Sequence, residues 1–396
     1  MTKRHTLLPL LSLLALGACD LDPLSPGSHL AAVAIAAGQT HVCRLNDDGA
    51  AYCWGFNVVG QIGDGTRANR ELPARVSGDL RFRSIFAGAF HTCGVAEDTR
   101  LYCWGGNPAG VLGEVGPVLR TLPALAGPAF ALQSVVLGDA HTCALDATGR
   151  AFCWGDNGSG QLGVHDLEPG CGGGSCSADA VAVVGQITFA RLSAGTQHTC
   201  GVTDYGAAYC WGGNGGGQLG NGTFVRGTTP VLVAGNLRFH SVHAGGSHTC
   251  GIALDGTTYC WGLGVSGQLG TDERPDPDSD CCANRPVRVQ TDLRFVTVVG
   301  GDLHTCALTT RGQAHCWGEN NFGQLGNGAI FAERVPVEVS GRHRFRALTA
   351  GTGTTCAATL NGDTYCWGDN FRFQLGNGAR GIRSTVPQRV EVPGGP

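Results

Sequence analysis

His91-Thr92-Cys93-Gly94-Val95, then Glu97-Asp98-Thr99, then Leu101-Tyr102-Cys103-Trp104-Gly105 read as two short strands joined by a polar turn. Residues i and i+2 of a strand share a face, so Tyr102 and Trp104 project together and Cys103 points to the other side. Both faces carry apolar side chains, as expected of sheets that pack face to face. Upstream, Phe82 to Ala87 alternates and stops at Gly88, and a Pro-containing stretch from Leu72 to Val76 reads as an outer edge strand, where a missing amide is tolerated. Helical periodicity is absent. One unit is therefore four short strands, with the Pro-containing strand taken as the first.

The unit recurs along the chain. All seven tryptophans (Trp54, Trp104, Trp154, Trp211, Trp261, Trp317, Trp367) sit in Cys-Trp-Gly, at spacings of 50, 50, 57, 50, 56 and 50 residues. Seven copies at a nearly constant period are the signature of a propeller or solenoid rather than of separate domains. The two longer intervals hold Cys171, Cys176, Cys281 and Cys282, and read as loop insertions. The first unit begins at Leu30 without a Pro-containing strand, and the last has a spare one at Val386-Pro387-Gln388-Arg389-Val390. The expectation is an all-β, seven-bladed propeller over residues 30–396, closed by that C-terminal strand completing the first blade and so removing unpaired edges.

The third copy reads Gly138-Asp139-Ala140-His141-Thr142-Cys143-Ala144-Leu145, then Gly149-Arg150-Ala151-Phe152-Cys153-Trp154-Gly155-Asp156-Asn157, then Gly160-Gln161-Leu162-Gly163. This pattern resembles the repeat family of the regulator of chromosome condensation, and the match recurs in every copy from about Leu30 to Val392. The resemblance implies the same seven-bladed fold. Departures are Thr354 in place of the histidine, Val111 in place of the glutamine and Gly264 in place of the asparagine. The nucleotide exchange on a nuclear GTPase for which the family is known conflicts with the export signal read below and is not expected here.

Lys3, Arg4 and His5 form a basic head, followed by an apolar run from Leu7 to Leu16 that is too short for a membrane span. Leu16-Gly17-Ala18-Cys19 resembles a bacterial lipobox, which implies cleavage after residue 18 and lipidation of Cys19. An ordinary signal peptide with an incidental cysteine is the competing reading. Residues 19–29 then comprise the lipidated cysteine and a short tether, of which Asp20 to Ser28 spans roughly 30 Å at full extension, which places the propeller at the cell envelope, outside the cytoplasm. Removing Lys3 and Arg4 takes the formal charge from −4 to −6 and leaves no lysine in the mature chain. Nucleic acid is therefore not an expected partner, and Schiff-base or phosphate-loop lysine chemistry is excluded.

Each unit carries two cysteines ten residues apart: Cys43 with Cys53, Cys93 with Cys103, Cys143 with Cys153, Cys200 with Cys210, Cys250 with Cys260, Cys306 with Cys316, and Cys356 with Cys366. In an exported protein these read as hairpin disulfides. Zinc held by His-x-Cys and the second cysteine is the rival. It is disfavoured because the seventh unit keeps its cysteines while Thr354 replaces the histidine. The recurrent histidines are read instead as structural, bonding backbone at the blade mouths. Cys171 and Cys176 are expected to bridge within a Gly-rich loop, and Cys281 and Cys282 either to join as neighbours or to pair across loops; sequence does not choose among the connectivities. The acidic stretch 272–280 lacks the glycine and closing glutamate of an EF-hand, which leaves a looser calcium site or a plain solvated loop.

Function is sought where the repeat is broken. The two residues between Gly and His vary in every unit, as do those after Trp-Gly, and they include Phe56, Phe90, Phe322, Phe371 and Arg372. The four phenylalanines belong to blades one, two, six and seven, which become neighbours on ring closure, and loop aromatics are typical interface anchors. The expectation is a monomeric, membrane-tethered scaffold that binds a protein through this arc, with no cofactor and no catalytic centre. The alternative is a secreted enzyme inhibitor, for which a propeller that inhibits β-lactamase is the family precedent.

Overall fold

A computed structural model describes residues 35–392, apart from 117, 129, 166, 168–170, 172–174, 273–280 and 380. The segments expected to be a signal peptide and a tether, Cys19 and most of the acidic loop 272–280 lie outside the described residues. Seven four-stranded antiparallel sheets follow one another around a ring, giving an all-β, seven-bladed propeller. In the first blade the strands are Ile35–Ala37, His41–Leu45, Ala51–Gly55 and Arg70–Arg75, from the axis outward. Among the described residues the one helical element is a turn at Pro108–Gly110.

Trp-Gly marks a bulge in every blade. In the second blade the register between the third and outer strands shifts between Cys103 and Gly105, so Trp104 lies opposite no partner on the outer side. Gly105 has φ +105, and a Cβ there would strike His91 Cα, so only glycine fits. The freed indole is fully buried against the preceding blade, where its Nε1 donates to the Gln61 carbonyl at 3.0 Å. The same bond recurs in all seven blades at 2.8–3.0 Å, always to the Gln position of the Gly-Gln-Leu-Gly motif, Val111 included. The motif asparagine clamps that loop, as when Asn57 Oδ1 accepts from the Ile62 amide at 2.9 Å. These repeated motifs hold the frame together.

The cysteines cross each hairpin from directly opposed positions. Cys43 joins Cys53, Cys93 joins Cys103, Cys143 joins Cys153 and Cys200 joins Cys210. Cys250 joins Cys260, Cys306 joins Cys316 and Cys356 joins Cys366. In each case the two residues are register partners of the second and third strands, with Cα atoms 4.0–4.1 Å apart. Both sulfurs are thereby spent on the hairpin, which leaves Cys210, Cys260, Cys316 and their counterparts no thiolate to offer a metal. In the inserted loops Cys171 joins Cys176, and Cys281 joins its neighbour Cys282 rather than pairing across loops.

Ring closure departs from the expectation. Arg383–Arg389 pairs with Thr364–Asp369 in the last blade (Cys366 opposite Gln388), and the first blade has its own outer strand, with Cys53 opposite Ala74. Among the described residues no strand is lent across the seam. The Pro-containing strand ends each unit rather than opening it, because the loop after Trp-Gly returns the chain directly beside the strand it has just left. Side chains close the ring instead. Trp54 Nε1 donates to the Gln374 carbonyl at 2.8 Å, the Ala37 amide donates to Thr349 Oγ1 at 3.1 Å, and buried Arg44 donates to Thr364 Oγ1 at 2.9 Å. Arg44 stands where the other six blades carry Gly or Ala (Gly94, Ala144, Gly201, Gly251, Ala307, Ala357).

The histidines also act differently from the expectation. Nε2 of His41, His141, His198, His248 and His304 lies 2.8–2.9 Å from the hydroxyl of Thr92, Thr199, Thr249, Thr305 and Thr355 in the following blade. Each hydroxyl donates its one proton to a Gln carbonyl at 2.8–2.9 Å, so the imidazole must be the donor to it. His91 and Thr142 lie at the corresponding places without this bond. At the seam both partners are changed together: Thr354 replaces the histidine of blade seven, and Val42 replaces the threonine it would meet in blade one.

Restoring the pair should strengthen the seam. Val42→Thr with Thr354→His is expected to add about 1 kcal/mol, the ordinary net value of one buried hydrogen bond. Thr354→His alone, which buries an unpaired imidazole, should cost about 1–3 kcal/mol. Chemical denaturation of the two single variants and the double variant gives the coupling, and additive effects would disprove the pairing.

Candidate protein-binding face

The turn from inner to second strand and the loop after Trp-Gly emerge on one side of the ring, since His141 lies opposite Gly155 and equivalent pairs recur in the other blades. On this face the glycines of the Gly-x-x-His turns circle the axis. A Cβ on Gly38 would overlap the Gly88 carbonyl, and one on Gly351 would overlap the Gly38 carbonyl, so the blades meet too closely for any side chain. Inside this ring, the inner strands line an axial channel of about 370 Å³.

The first variable residue after the glycine stands at the channel mouth in every blade but the second, where Ala89 is buried. Asp139 of blade three accepts a bond from Gln39 Nε2 of blade one, reaching past Ala89 of blade two, and another from the Thr196 side chain of blade four. Burial raises Asp139 to about 6, with the Asp302 charge adding to the effect. Burial likewise raises Asp302 above the usual carboxylate range. Gly246 leaves room for Asp302, whose carboxylate would collide with a Cβ there. His243 lines the channel, its Nδ1 accepting from the Gly300 amide at 3.1 Å. Asp139 and Asp302 lay among the variable positions of the sequence, but their convergence could not be read there because they belong to blades three and six.

The aromatic arc is partly assembled. Arg372 bridges Phe56 and Phe371 across the seam, its guanidinium carbon 4.4 Å and 5.6 Å from the two ring centres. Phe322 of blade six lies beside Gly353 of blade seven. Phe371 is 68% exposed, Phe322 43% and Phe90 39%, while Phe56 is half-buried under Arg372. Phe56 and Phe371 are thus joined through Arg372 across the seam, while Phe322 stands by the turn of blade seven and Phe90 on the turn of blade two.

Nine cysteine pairs joined in this way point to an oxidising compartment outside the cytoplasm. Among the described residues no three His, Cys, Asp or Glu side chains gather into a metal-holding group, and no helix is long and apolar enough to cross a membrane.

Profiles of the regulator of chromosome condensation (RCC1) repeat match the chain over residues 32–61, 82–110, 133–161, 189–218 and 295–324, and over 48–95, 205–252, 255–308, 311–358 and 361–395. The chain belongs to this repeat family. Human WBSCR16 has a similar structure, with a TM-score of 0.77 at 21% identity, over 87% of this chain and 94% of that one. Prp20p from Saccharomyces cerevisiae, described with its binding to Gsp1p and histones, gives 0.75 at 20% identity over 91% and 88%. The ectodomain of the Arabidopsis thaliana receptor kinase ACR4 gives 0.53 at 20% identity over 87% and 97%. At these identities the likeness concerns the fold.

Proposed function

We propose that this member of the RCC1 repeat family is an exported, membrane-tethered module that binds a protein partner at the cell envelope through the face bearing Phe56, Phe90, Phe322 and Phe371. The observation that carries the reading is the exposure of large aromatic rings, at positions free to vary, on a frame whose repeated polar groups are engaged in holding blades together. Exposed aromatics on a rigid support anchor interfaces at little entropic cost. Binding of protein partners by Prp20p agrees with this use of the fold. The cysteine pairs, the lipobox-like Leu16-Gly17-Ala18-Cys19 and the ectodomain setting of the ACR4 propeller support the location. Catalysis forms no part of the reading.

The test replaces Phe56, Phe90, Phe322 and Phe371 together by alanine in the membrane-bound protein. Crosslinked partners of the wild-type chain are identified first, and the affinity of the purified partner is then measured against both proteins. A loss of at least tenfold with unchanged thermal stability is expected. Unchanged affinity would place the interface elsewhere. A partner that is an enzyme and loses turnover on binding would make the module an inhibitor. Mass spectrometry of the same membrane preparation reads the N-terminus, where a diacylated Cys19 is expected and an unmodified, uncleaved chain would remove the tether.

A further inference from the structure

Asp139 and Asp302 face one channel mouth from blades three and six, and the channel lining holds no arginine or lysine among its described residues. Each carboxylate is partly withdrawn from water, and the Asp302 charge makes Asp139 harder still to ionise. Two partly buried like charges oppose folding, and the Gln39 and Thr196 hydrogen bonds to Asp139 bring no positive charge to offset them. Further out on the same face, Asp156 and Asp369 end their third strands, held by Gln161 Nε2 at 2.6 Å and Gln374 Nε2 at 2.8 Å. Arg372 does not neutralise the mouth, because its guanidinium is stacked between Phe56 and Phe371.

Resting on the binding role proposed above, we infer that the channel mouth receives a cationic side chain of the protein partner, an arginine or lysine flanked by apolar residues that cover the phenylalanines. Charge complementarity selects the occupant. The mouth offers carboxylates, the Gln39 amide and the Thr196 hydroxyl, which suit a guanidinium or ammonium donor, and the surrounding ring offers apolar surface. The cavity holds about 370 Å³, and the inner strands of all seven blades contribute to its wall. A peptide anion would meet repulsion at the same place.

The experiment uses the full disulfide-bonded chain and an array of 12-residue peptides with a central Arg, Lys, Gln or Glu between Leu and Phe residues. Arg and Lys peptides are expected to bind at least tenfold more tightly than their Gln counterparts, with Glu weakest. The preference should vanish when Asp139→Asn is combined with Asp302→Asn, a change that keeps side-chain size and leaves thermal stability unchanged or raised. Equal binding of Arg and Gln peptides, or the same preference in the double variant, would overturn the inference. If binding in that case still falls when Phe322→Ala is combined with Phe371→Ala, the face remains the interface and only its charge preference is wrong. Binding indifferent to both pairs of substitutions would remove the binding face as well. One tightly held metal ion per purified chain, lost in the double aspartate variant, would also overturn the inference, because the mouth would already be filled.

Discussion

Acidification from pH 7 to pH 4 is expected to unfold the propeller cooperatively, with all its disulfides still intact. Burial holds the imidazoles of His41, His91, His198 and His248 down at about 3, and those of His141, His304 and His243 at about 4. In the unfolded chain they titrate near 6.5. Below that value the unfolded chain binds protons that the folded ring refuses, so unfolding free energy falls with pH until the folded values near 3–4 are reached. Each imidazole contributes about 1.4 kcal/mol per pH unit in this window, or about 2 kcal/mol by pH 5. Seven such groups outweigh the opposite effect of Asp139 and Asp302, whose raised values favour the folded state as pH falls through the same range. The combined loss matches the whole stability of an ordinary domain, about 5–15 kcal/mol. Denaturant midpoints measured from pH 7 to pH 4 check this, and His304→Gln should flatten the slope by about one proton. A flat stability profile would show that the imidazoles are not held neutral by burial.

Reduction should be nearly as damaging, but only after the ring has opened. The fourteen hairpin cysteines are fully buried, so a thiol or phosphine in solution cannot reach them in the native state. In the chain-entropy account each closed loop of this length contributes about 2–3 kcal/mol, with poor additivity. Seven of them offset part of the cost of ordering a chain with 65 glycines. Native-state reduction followed by alkylation is expected to label first the Cys171–Cys176 and Cys281–Cys282 pairs, in which Cys171 and Cys281 are partly exposed. Reduction in guanidinium should label all the paired cysteines, and the reduced chain should then fail to regain its native tryptophan fluorescence. A reduced protein that refolds with its melting temperature unchanged would show that the staples are dispensable. The neighbouring pair Cys281–Cys282 encloses no loop to speak of, so its loss is expected to leave global stability unchanged.

Much of this was legible in the residues. The Cys-Trp-Gly period gave blade number and class, because each unit must bury the same indole against its neighbour and so repeats the same local pattern. The cysteine pairs were legible because residues ten apart across a short turn fall opposite each other in one hairpin. The phase of the repeat was not. A Pro-containing edge strand reads alike at the start or the end of a unit, and only the pairing of Arg70–Arg75 with Ala51–Gly55 decides which blade owns it.

The histidines carried half a signal. Their recurrence was plain, but each partner threonine lies in the next unit, 51 to 58 residues away. Comparing the residue after each histidine would have exposed Val42 as the one non-threonine, matched to the one missing histidine at Thr354. Sequence by itself thus determined the unit, its number and its covalent staples, all of which depend on contacts within one repeat or on the repetition itself. Tertiary structure alone decided how the seam closes around Arg44, which phenylalanines meet across it, and that Asp139 and Asp302 share one channel mouth. Those contacts join residues from different blades, and their geometry exists only once the seventh blade has met the first.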